Sequence, residues 1–374
     1  MNRNKTICFT GLLFAVVITL LFPLHSFAFG ILAHEANIDN AWEKSIRPLL
    51  KIKYPRATDS ALQVAHSYAY GGAIIPDIGY YPFCSAFFTN LIHYVDNGDF
   101  INTLIDSAQD VNEYAFALGV LSHYFTDEFG HPLCTNHVVP VLFPELQKEF
   151  GDIITYEQAE TEHSRVEYGF DVVQTAIGNY KTEDYHSFIG FQVSQPLLER
   201  AFLKTYKFEL KQIFNSLSIE IALFRFTVNN IVPELTRDAY RIRKSIISEL
   251  NPLEEKDKYE YNIDKVAYEK EFGTIPIKAI VLSFIVGLIP KIGPLEVYKF
   301  KEPSPEVLDL FKKTMNTILL NYSKYLKRLR TAHKRSPRLE NINFDTGKKT
   351  VIGDYKLADE TYRELIKKQK KKQE

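Results

Sequence analysis

Three side chains suited to holding a metal ion follow one another at four-residue spacing: His123, Asp127 and His131. On an α-helix, positions i, i+4 and i+8 differ by only about 40° per step, so the three share one face. Residues 114–122 are mostly apolar, which predicts a buried helix, and Pro132 is expected to end it. A buried carboxylate between imidazoles needs a counter-ion, and a divalent metal would supply it. Hydrogen-bonded core pairs or a solvated stripe are the alternatives at this spacing.

A second pair with helical spacing favours the metal interpretation. His163 and Glu167 are again four residues apart, within the proline-free stretch 159–176. Two such pairs in one short domain seldom arise by chance. Further residues of the same types come earlier in the chain. The candidate ligands in chain order are His34, Asp77, His93, His123, Asp127, His131, His163 and Glu167.

The amino terminus has the pattern of a secretory signal peptide over residues 1–28. Arg3 and Lys5 precede an apolar stretch over 9–22, and small residues stand at the first and third places of 26–28, as signal peptidase requires. The apolar stretch is short and is followed directly by this cleavage pattern, so removal is preferred to a membrane anchor. The sequence therefore predicts a secreted or periplasmic protein.

Cleavage after Ala28 would create a further metal ligand that is not a side chain. The mature chain would begin at Phe29, whose free α-amino nitrogen and carbonyl oxygen could chelate a metal ion together. His34, five residues on, would close that site. Accurate cleavage matters because one extra residue would displace the chelating amine.

The ordered pattern resembles the zinc-dependent phospholipase C family. Relatives of that family include fungal single-strand nucleases and the catalytic domain of glycosylphosphatidylinositol phospholipase D. Its members hold three zinc ions with the mature amino terminus, five histidines, two aspartates and one further acidic residue, and every such position has an occupant here. The surroundings match as well, in Tyr-Gly-Gly-Ala-Ile-Ile-Pro-Asp77, Leu-Ser-His123 and Glu-His163-Ser, and the resemblance covers residues 29 to about 180.

The resemblance implies three zinc sites, which share one bridging carboxylate. The first zinc would be held by Asp77, His93, His123 and Asp127. The second would be held by His131, His163 and Glu167. The third would take the amino nitrogen and carbonyl of Phe29, with His34 and Asp127.

The sequence departs from part of the family in its amino terminus and in one spacing. The small bacterial phospholipases C and the nucleases usually begin with Trp and place the later histidine six residues after the bridging aspartate. Here Phe29 begins the mature chain and His131 follows Asp127 by four residues, a spacing that resembles the phospholipase D domain. His137 is a rival ligand if the loop folds differently. Cys134 is a weaker rival, because nitrogen and oxygen donors dominate sites of this kind.

The ligand types predict hydrolysis of a phosphodiester. Zinc held by imidazole and carboxylate lowers the pKa of water towards about 7, and clustered metals stabilise both the attacking and the leaving oxygen. The resemblance implies that Asp77 positions or deprotonates the attacking water. No Lys or Arg is obviously placed to hold the phosphate, so the metals would compensate its charge. A single-strand nuclease and a non-catalytic lipid-binding or structural domain are the alternatives.

Composition adds modest constraints. The chain has 374 residues and a formal net charge of −1, which becomes −3 once the signal peptide with Arg3 and Lys5 is removed. A mildly acidic protein gains no general attraction to polyanions, which counts against nucleic acid as substrate. Cys84 and Cys134 remain after processing, and whether they form a disulfide is left open because spacing does not establish it.

Aromatic residues lie between two of the candidate ligands. Tyr80, Tyr81 and Phe83 follow Asp77 and precede His93. They could form a rim that contacts acyl chains or a choline-like cation at the mouth of the site. Ordinary packing in the core and loops is the favoured alternative.

The spacing of apolar residues predicts an all-α multi-helix bundle with the metal cluster at one end. Residues 29–250 are expected to form the phospholipase C-like helical domain. Asn251-Pro252 and the charged residues after it mark the best boundary, so 251–374 is expected to be a helical C-terminal extension with a basic tail.

Two features of that extension bear on membranes. Residues 279–289 form an apolar run that is too short to span a bilayer, so a buried helix is favoured over a membrane-touching segment. The basic stretches 324–338 and 367–372 are most often solvated surface, but beside a lipase they could raise affinity for anionic lipid. Phospholipid is the predicted partner, and nucleic acid is less favoured.

Overall fold

The structure is a computed structural model that describes residues 30–81, 84–176, 180, 191–225, 228, 301–331 and 337–371. Most of these residues are helical, which confirms the predicted all-α fold. The first six helices are α1 (Ile31–Ala41), α2 (Arg47–Lys53), α3 (Asp59–Ile74), α4 (Ala86–Tyr94), α5 (Asn97–Ser107) and α6 (Val111–Gly130). The next four are α7 (Asn136–Leu142), α8 (Pro144–Phe150), α9 (Glu160–Ala176) and α10 (Gln195–Tyr206). Near the C-terminus lie α11 (Pro305–Thr331), the antiparallel strands β1 (Ile342–Asn343) and β2 (Lys348–Lys349), and α12 (Lys356–Lys371).

Helices α3 and α6 form the centre of the bundle and approach each other through two glycines. A Cβ atom on Gly72 would lie 2.0 Å from the carbonyl oxygen of Phe116, and one on Gly119 would lie 2.1 Å from that of Ala69. Only hydrogen fits between the two backbones at these positions. The close approach brings the ligand-bearing half of α6 against the end of α3.

Replacing Gly119 by alanine is expected to destabilise the protein. The new methyl group would meet the backbone carbonyl of Ala69, which cannot move aside as a flexible side chain would. Overpacking of this kind costs about 1–3 kcal/mol or more. Chemical denaturation of the Gly119→Ala chain should show this loss in the free energy of unfolding. Lys312→Ala, on the exposed face of α11, is the control, and equal stability of the two variants would contradict the close approach.

Pro132 does not end the helix as the sequence analysis predicted. Helix α6 continues through a π-helical turn, His131–Thr135, directly into α7. A proline ring clashes with the preceding turn and lacks an N–H donor. The wider π turn accommodates both defects without breaking the helix, and such turns are frequent at functional sites.

The residues after 300 pack into the same core as the helices before 230. In α11, the Tyr322 hydroxyl donates a hydrogen bond of 2.8 Å to the carbonyl of Leu118 on α6. The side-chain amide of Asn97 donates to the Ile342 carbonyl at 2.6 Å, and its oxygen accepts from the Ile342 N–H at 3.0 Å. The C-terminal residues 301–331 and 337–371 therefore help to build the body that contains the candidate ligands. The boundary predicted near residue 250 lies outside the described residues.

Within the ranges that the structure describes, no helix combines the length and apolar character needed to cross a bilayer. The apolar run 279–289 lies outside those ranges.

Among the described cysteines, Cys84 and Cys134 both carry free thiols, so the disulfide left open by the sequence is not formed between them.

Candidate metal centre

Two of the candidate ligands, Asp77 and His93, are fixed to each other by one threonine. Asp77 lies in the 3₁₀ turn Ile75–Tyr80, which leads from α3 towards α4. The Thr89 hydroxyl donates to the carbonyl of Pro76 at 2.6 Å and accepts the Gly79 N–H at 2.7 Å. His93 lies one turn after Thr89 on α4, and its Nδ1 is 2.8 Å from the Thr89 carbonyl oxygen. This contact leaves Nε2 of His93 to face Asp77.

His123 is oriented in the same way across the helix pair. Its Nδ1 lies 2.8 Å from the carbonyl of Ala73 on α3, so Nε2 points into the cluster. His34 reaches the same place from α1, and its imidazole stacks on His123 with ring centroids 4.2 Å apart. The start of α1 is held by Asp171 of α9, which accepts the N–H groups of Leu32 and Ala33 at 3.0 and 3.1 Å.

Five of the predicted ligands meet in one buried cluster around two aspartates. Oδ1 of Asp77 lies 3.3 Å from Nε2 of His93 and 3.8 Å from Nε2 of His123, and its Oδ2 lies 3.7 Å from Nε2 of His34. The two carboxylate oxygens of Asp127 face different histidines. Its Oδ1 lies 3.6 Å from Nε2 of His34, while its Oδ2 lies 3.0 Å from His123 and 3.4 Å from His93. A carboxylate so placed can bridge two metal ions.

A second buried cluster lies at the π turn. Nδ1 of His131 is 3.7 Å from Oε1 of Glu167 and 3.9 Å from Oδ1 of Asp345. His163 lies beside them, and its Nε2 is 2.7 Å from the carbonyl of Ile154, which leaves Nδ1 facing the cluster. Ligand atoms of His131, His163 and Asp345 all lie within 4.8 Å of one another.

Two of the histidines are held in the form that binds metals. Burial, reinforced by the nearby His123, lowers the pKa of His34 to about 3. Burial, reinforced by His131, lowers the pKa of His163 to about 3. Both imidazoles are therefore neutral near pH 7, and a neutral imidazole is the ligand form.

The centre attracts positive charge. Burial acts to lower the pKa of His93, but the adjacent carboxylates of Asp127 and Asp77 outweigh it and raise the pKa to about 9. Without a metal ion, this imidazole thus holds the proton that partly balances the two carboxylates. Burial raises the pKa of Glu167 well above its usual range, and the nearby charges of Asp127 and Asp77 raise it further. Negative charge in the centre is undercompensated.

The donor set fits a divalent cation. Buried atoms that accept no hydrogen bond include Oδ1 of Asp77, both carboxylate oxygens of Asp127 and Glu167, and Nδ1 of His163. In the described part of the chain, only histidines lie within ion-pair distance of these three carboxylates. Buried polar atoms are costly unless they are paired. Imidazole nitrogen and carboxylate oxygen together are typical ligands of zinc.

The remaining predicted residues lie elsewhere. His137 is exposed, which removes it as a rival ligand, and Cys134 lies in the core outside the groups of ligand atoms. Tyr80 and Tyr81 are 4% and 2% exposed, so they are packed in the core and form no open rim. The Tyr80 ring meets the edge of His93 at 5.6 Å between centroids. The predicted ligand Phe29 and the predicted contact Phe83 lie outside the described residues.

Asp345 is the member of the second cluster that sequence reasoning missed. It lies between β1 and β2, far along the chain from every predicted ligand, and no helical spacing relates it to them. One signal was present, because Asn343, Asp345 and Gly347 mark a tight polar turn in an otherwise helical chain. A turn signal alone does not identify a ligand.

A helical bundle that buries histidines and carboxylates in adjoining clusters is suited to holding metal ions in its core. The family model described as zinc dependent phospholipase C matches residues 33–216 of the chain. This part of the chain belongs to the zinc-dependent phospholipase C family, which implies a zinc-dependent hydrolase. Asp345 lies beyond the matched residues. No curated protein and no solved structure matches the chain significantly.

Proposed function

We propose that this protein is a secreted zinc-dependent phosphodiesterase that hydrolyses phospholipids in the manner of a phospholipase C. The observation that carries the proposal is the position of Asp127, whose two oxygens face His34 on one side and His93 and His123 on the other. Family membership of residues 33–216 supports the substrate class.

The proposed zinc ligands follow the clusters. One ion would be held by Asp77, His93, His123 and Asp127, a second by His131, His163 and Glu167, and a third by Phe29, His34 and Asp127. Zinc at these positions would lower the pKa of water and stabilise the negative charge on phosphodiester oxygens. The hydrogen bonds from Nδ1 of His93 and His123 to backbone carbonyls fix both rings, so the ligands need no rearrangement when the metals bind.

Asp77 is proposed as the group that orients and deprotonates the attacking water. Its Oδ1 is buried and accepts no hydrogen bond, so it can take a proton. The water oxygen attacks phosphorus, and the bond between phosphorus and the glycerol-side oxygen breaks. That oxygen leaves with a proton as diacylglycerol, and the head group leaves as its phosphate monoester. The surrounding burial keeps bulk water away from the reacting groups.

Secretion and membrane contact are parts of the same proposal. The signal-peptide pattern of residues 1–28 supports export, with release of Phe29 as the new amino terminus. The apolar run 279–289 and the basic residues of the C-terminal third would add affinity for an anionic lipid surface. Three of these basic residues, Lys324, Lys327 and Arg330, line one depression on the surface of α11.

The test compares three substrates with one purified zinc-loaded protein: phosphatidylcholine vesicles, the same lipid below its aggregation concentration, and single-stranded RNA. We expect release of diacylglycerol and phosphocholine that increases when the lipid is aggregated. An Asp77→Asn chain prepared identically measures any contaminating phospholipase. Cleavage of RNA without cleavage of lipid would replace the proposal with the nuclease alternative, and turnover of neither would overturn an enzymatic role.

A further inference from the structure

The carboxylate of Asp345 is aimed into the second cluster. The residue is 2% exposed, and its Oδ1 is a buried atom without a hydrogen-bond partner. That oxygen lies 3.9 Å from Nδ1 of His131, and a carboxylate oxygen of Asp345 lies within 4.8 Å of a ring nitrogen of His163. An unpartnered buried carboxylate oxygen beside two imidazoles is the placement expected of a metal ligand.

The other carboxylate oxygen is held in place by two donors. The Tyr355 hydroxyl donates to Oδ2 of Asp345 at 2.7 Å, and the Tyr156 N–H donates to it at 2.8 Å. The carbonyl of Asp345 accepts from the side-chain amide of Asn136 at 2.8 Å. These contacts fix the direction of Oδ1, as partners of a ligating carboxylate do.

The turn that carries Asp345 is itself locked against α6. The side-chain oxygen of Asn343 accepts the N–H groups of Asp345 and Thr346 at 2.9 and 3.2 Å. Gly347 has a φ of 65°, in the left-handed region, and a Cβ there would lie 2.7 Å from the carbonyl of Glu128. The backbone thus approaches α6 as closely as a glycine permits.

We propose that Asp345 is the fourth protein ligand of the zinc ion held by His131, His163 and Glu167. This inference rests on the zinc centre of the proposed function and assigns a ligand from the C-terminal third, beyond the family match. With Asp345 as a ligand, the second zinc would join the C-terminal turn to α9 and would help to stabilise the fold.

The test measures zinc content and zinc affinity of the purified full chain by competition with a chromophoric chelator, without any lipid. In Asp345→Asn, the amide oxygen can still accept from Tyr355 and Tyr156, while an NH₂ group replaces the ligating Oδ1. We expect one zinc ion to bind at least about 10-fold more weakly, with the remaining zinc unaffected. Asp354→Asn, an exposed aspartate of the same segment, is the matched control and should bind zinc like the wild type.

Zinc content and affinity that are unchanged in a folded Asp345→Asn chain would overturn the proposal. A second variant covers the case in which that chain does not fold. Tyr355→Phe keeps the carboxylate but removes one of the two donors that orient it, so the same zinc should bind more weakly by a smaller factor. In that case, unchanged zinc affinity of Tyr355→Phe overturns the proposal. Because lipid is absent, a failure to cleave phospholipid bears on the proposed function alone.

Discussion

Replacing Asp127 by asparagine is expected to remove zinc from two positions and to abolish hydrolysis. Asp127 is fully buried, and its two oxygens serve two different groups of imidazoles. An amide is a poor zinc ligand, and it can offer only one oxygen where the carboxylate offers two. Loss of activity should exceed about 100-fold, the upper range for residues that only orient ligands. Elemental analysis and a phospholipid assay measure the two effects.

Glu128→Gln is the control for this substitution. Glu128 is the next residue on α6, is half-buried and lies outside both clusters. The control removes a carboxylate of the same helix without touching a candidate ligand, so it should bind zinc like the wild type. The bridging role of Asp127 is wrong if the Asp127→Asn chain retains full zinc content.

Removing zinc by chelation is expected to lower the stability of the whole bundle. The ligands come from α1, the turn before α4, α4, α6 and α9, so metal binding joins elements that are distant in sequence. A ligand at 1,000 times its dissociation constant stabilises the folded state by about 4 kcal/mol per site. The metal-free protein also keeps buried carboxylates without a cation. Calorimetry with and without a chelator should show a lower unfolding temperature after chelation.

Restoration by different metals provides the control for chelation. Zinc added back should return the unfolding temperature to its starting value, whereas magnesium should not, because it prefers oxygen ligands and several waters. An unfolding temperature that ignores both chelator and zinc would contradict the metal centre. Acid should also lower the unfolding temperature of the zinc-loaded protein, because protons compete with the metal for the imidazole and carboxylate ligands.

The sequence predicted those parts of the centre whose order follows from local geometry. The four-residue spacing of His123 and Asp127 places both side chains on the buried face of α6, and the structure has them 3.0 Å apart. The same reasoning paired His163 with Glu167 on α9. Both predictions rest on helical periodicity, which is a property of neighbouring residues.

Other parts depend on contacts that periodicity does not encode. The helix continues past Pro132 because a π turn accommodates the proline ring, and the neighbouring residues do not predict that turn. Tyr80 and Tyr81 are buried because Tyr80 packs against His93 and Tyr156, and Tyr81 packs against Phe224, contacts that the local sequence does not reveal. Asp345 joins the second cluster through the fold alone, since its neighbours in sequence resemble any polar turn.

The hydrogen bonds between Asn97 and Ile342 join residues 245 positions apart, and they set the order of events during synthesis. Until residue 344 has left the ribosome, the carbonyl of His93 lacks the Phe344 N–H that it accepts in the folded protein. A fold with such distant contacts forms slowly, and the incompletely folded chain exposes apolar surface until those contacts have formed. A chain cut short before residue 342 would lack these contacts and would therefore be prone to proteolysis and aggregation.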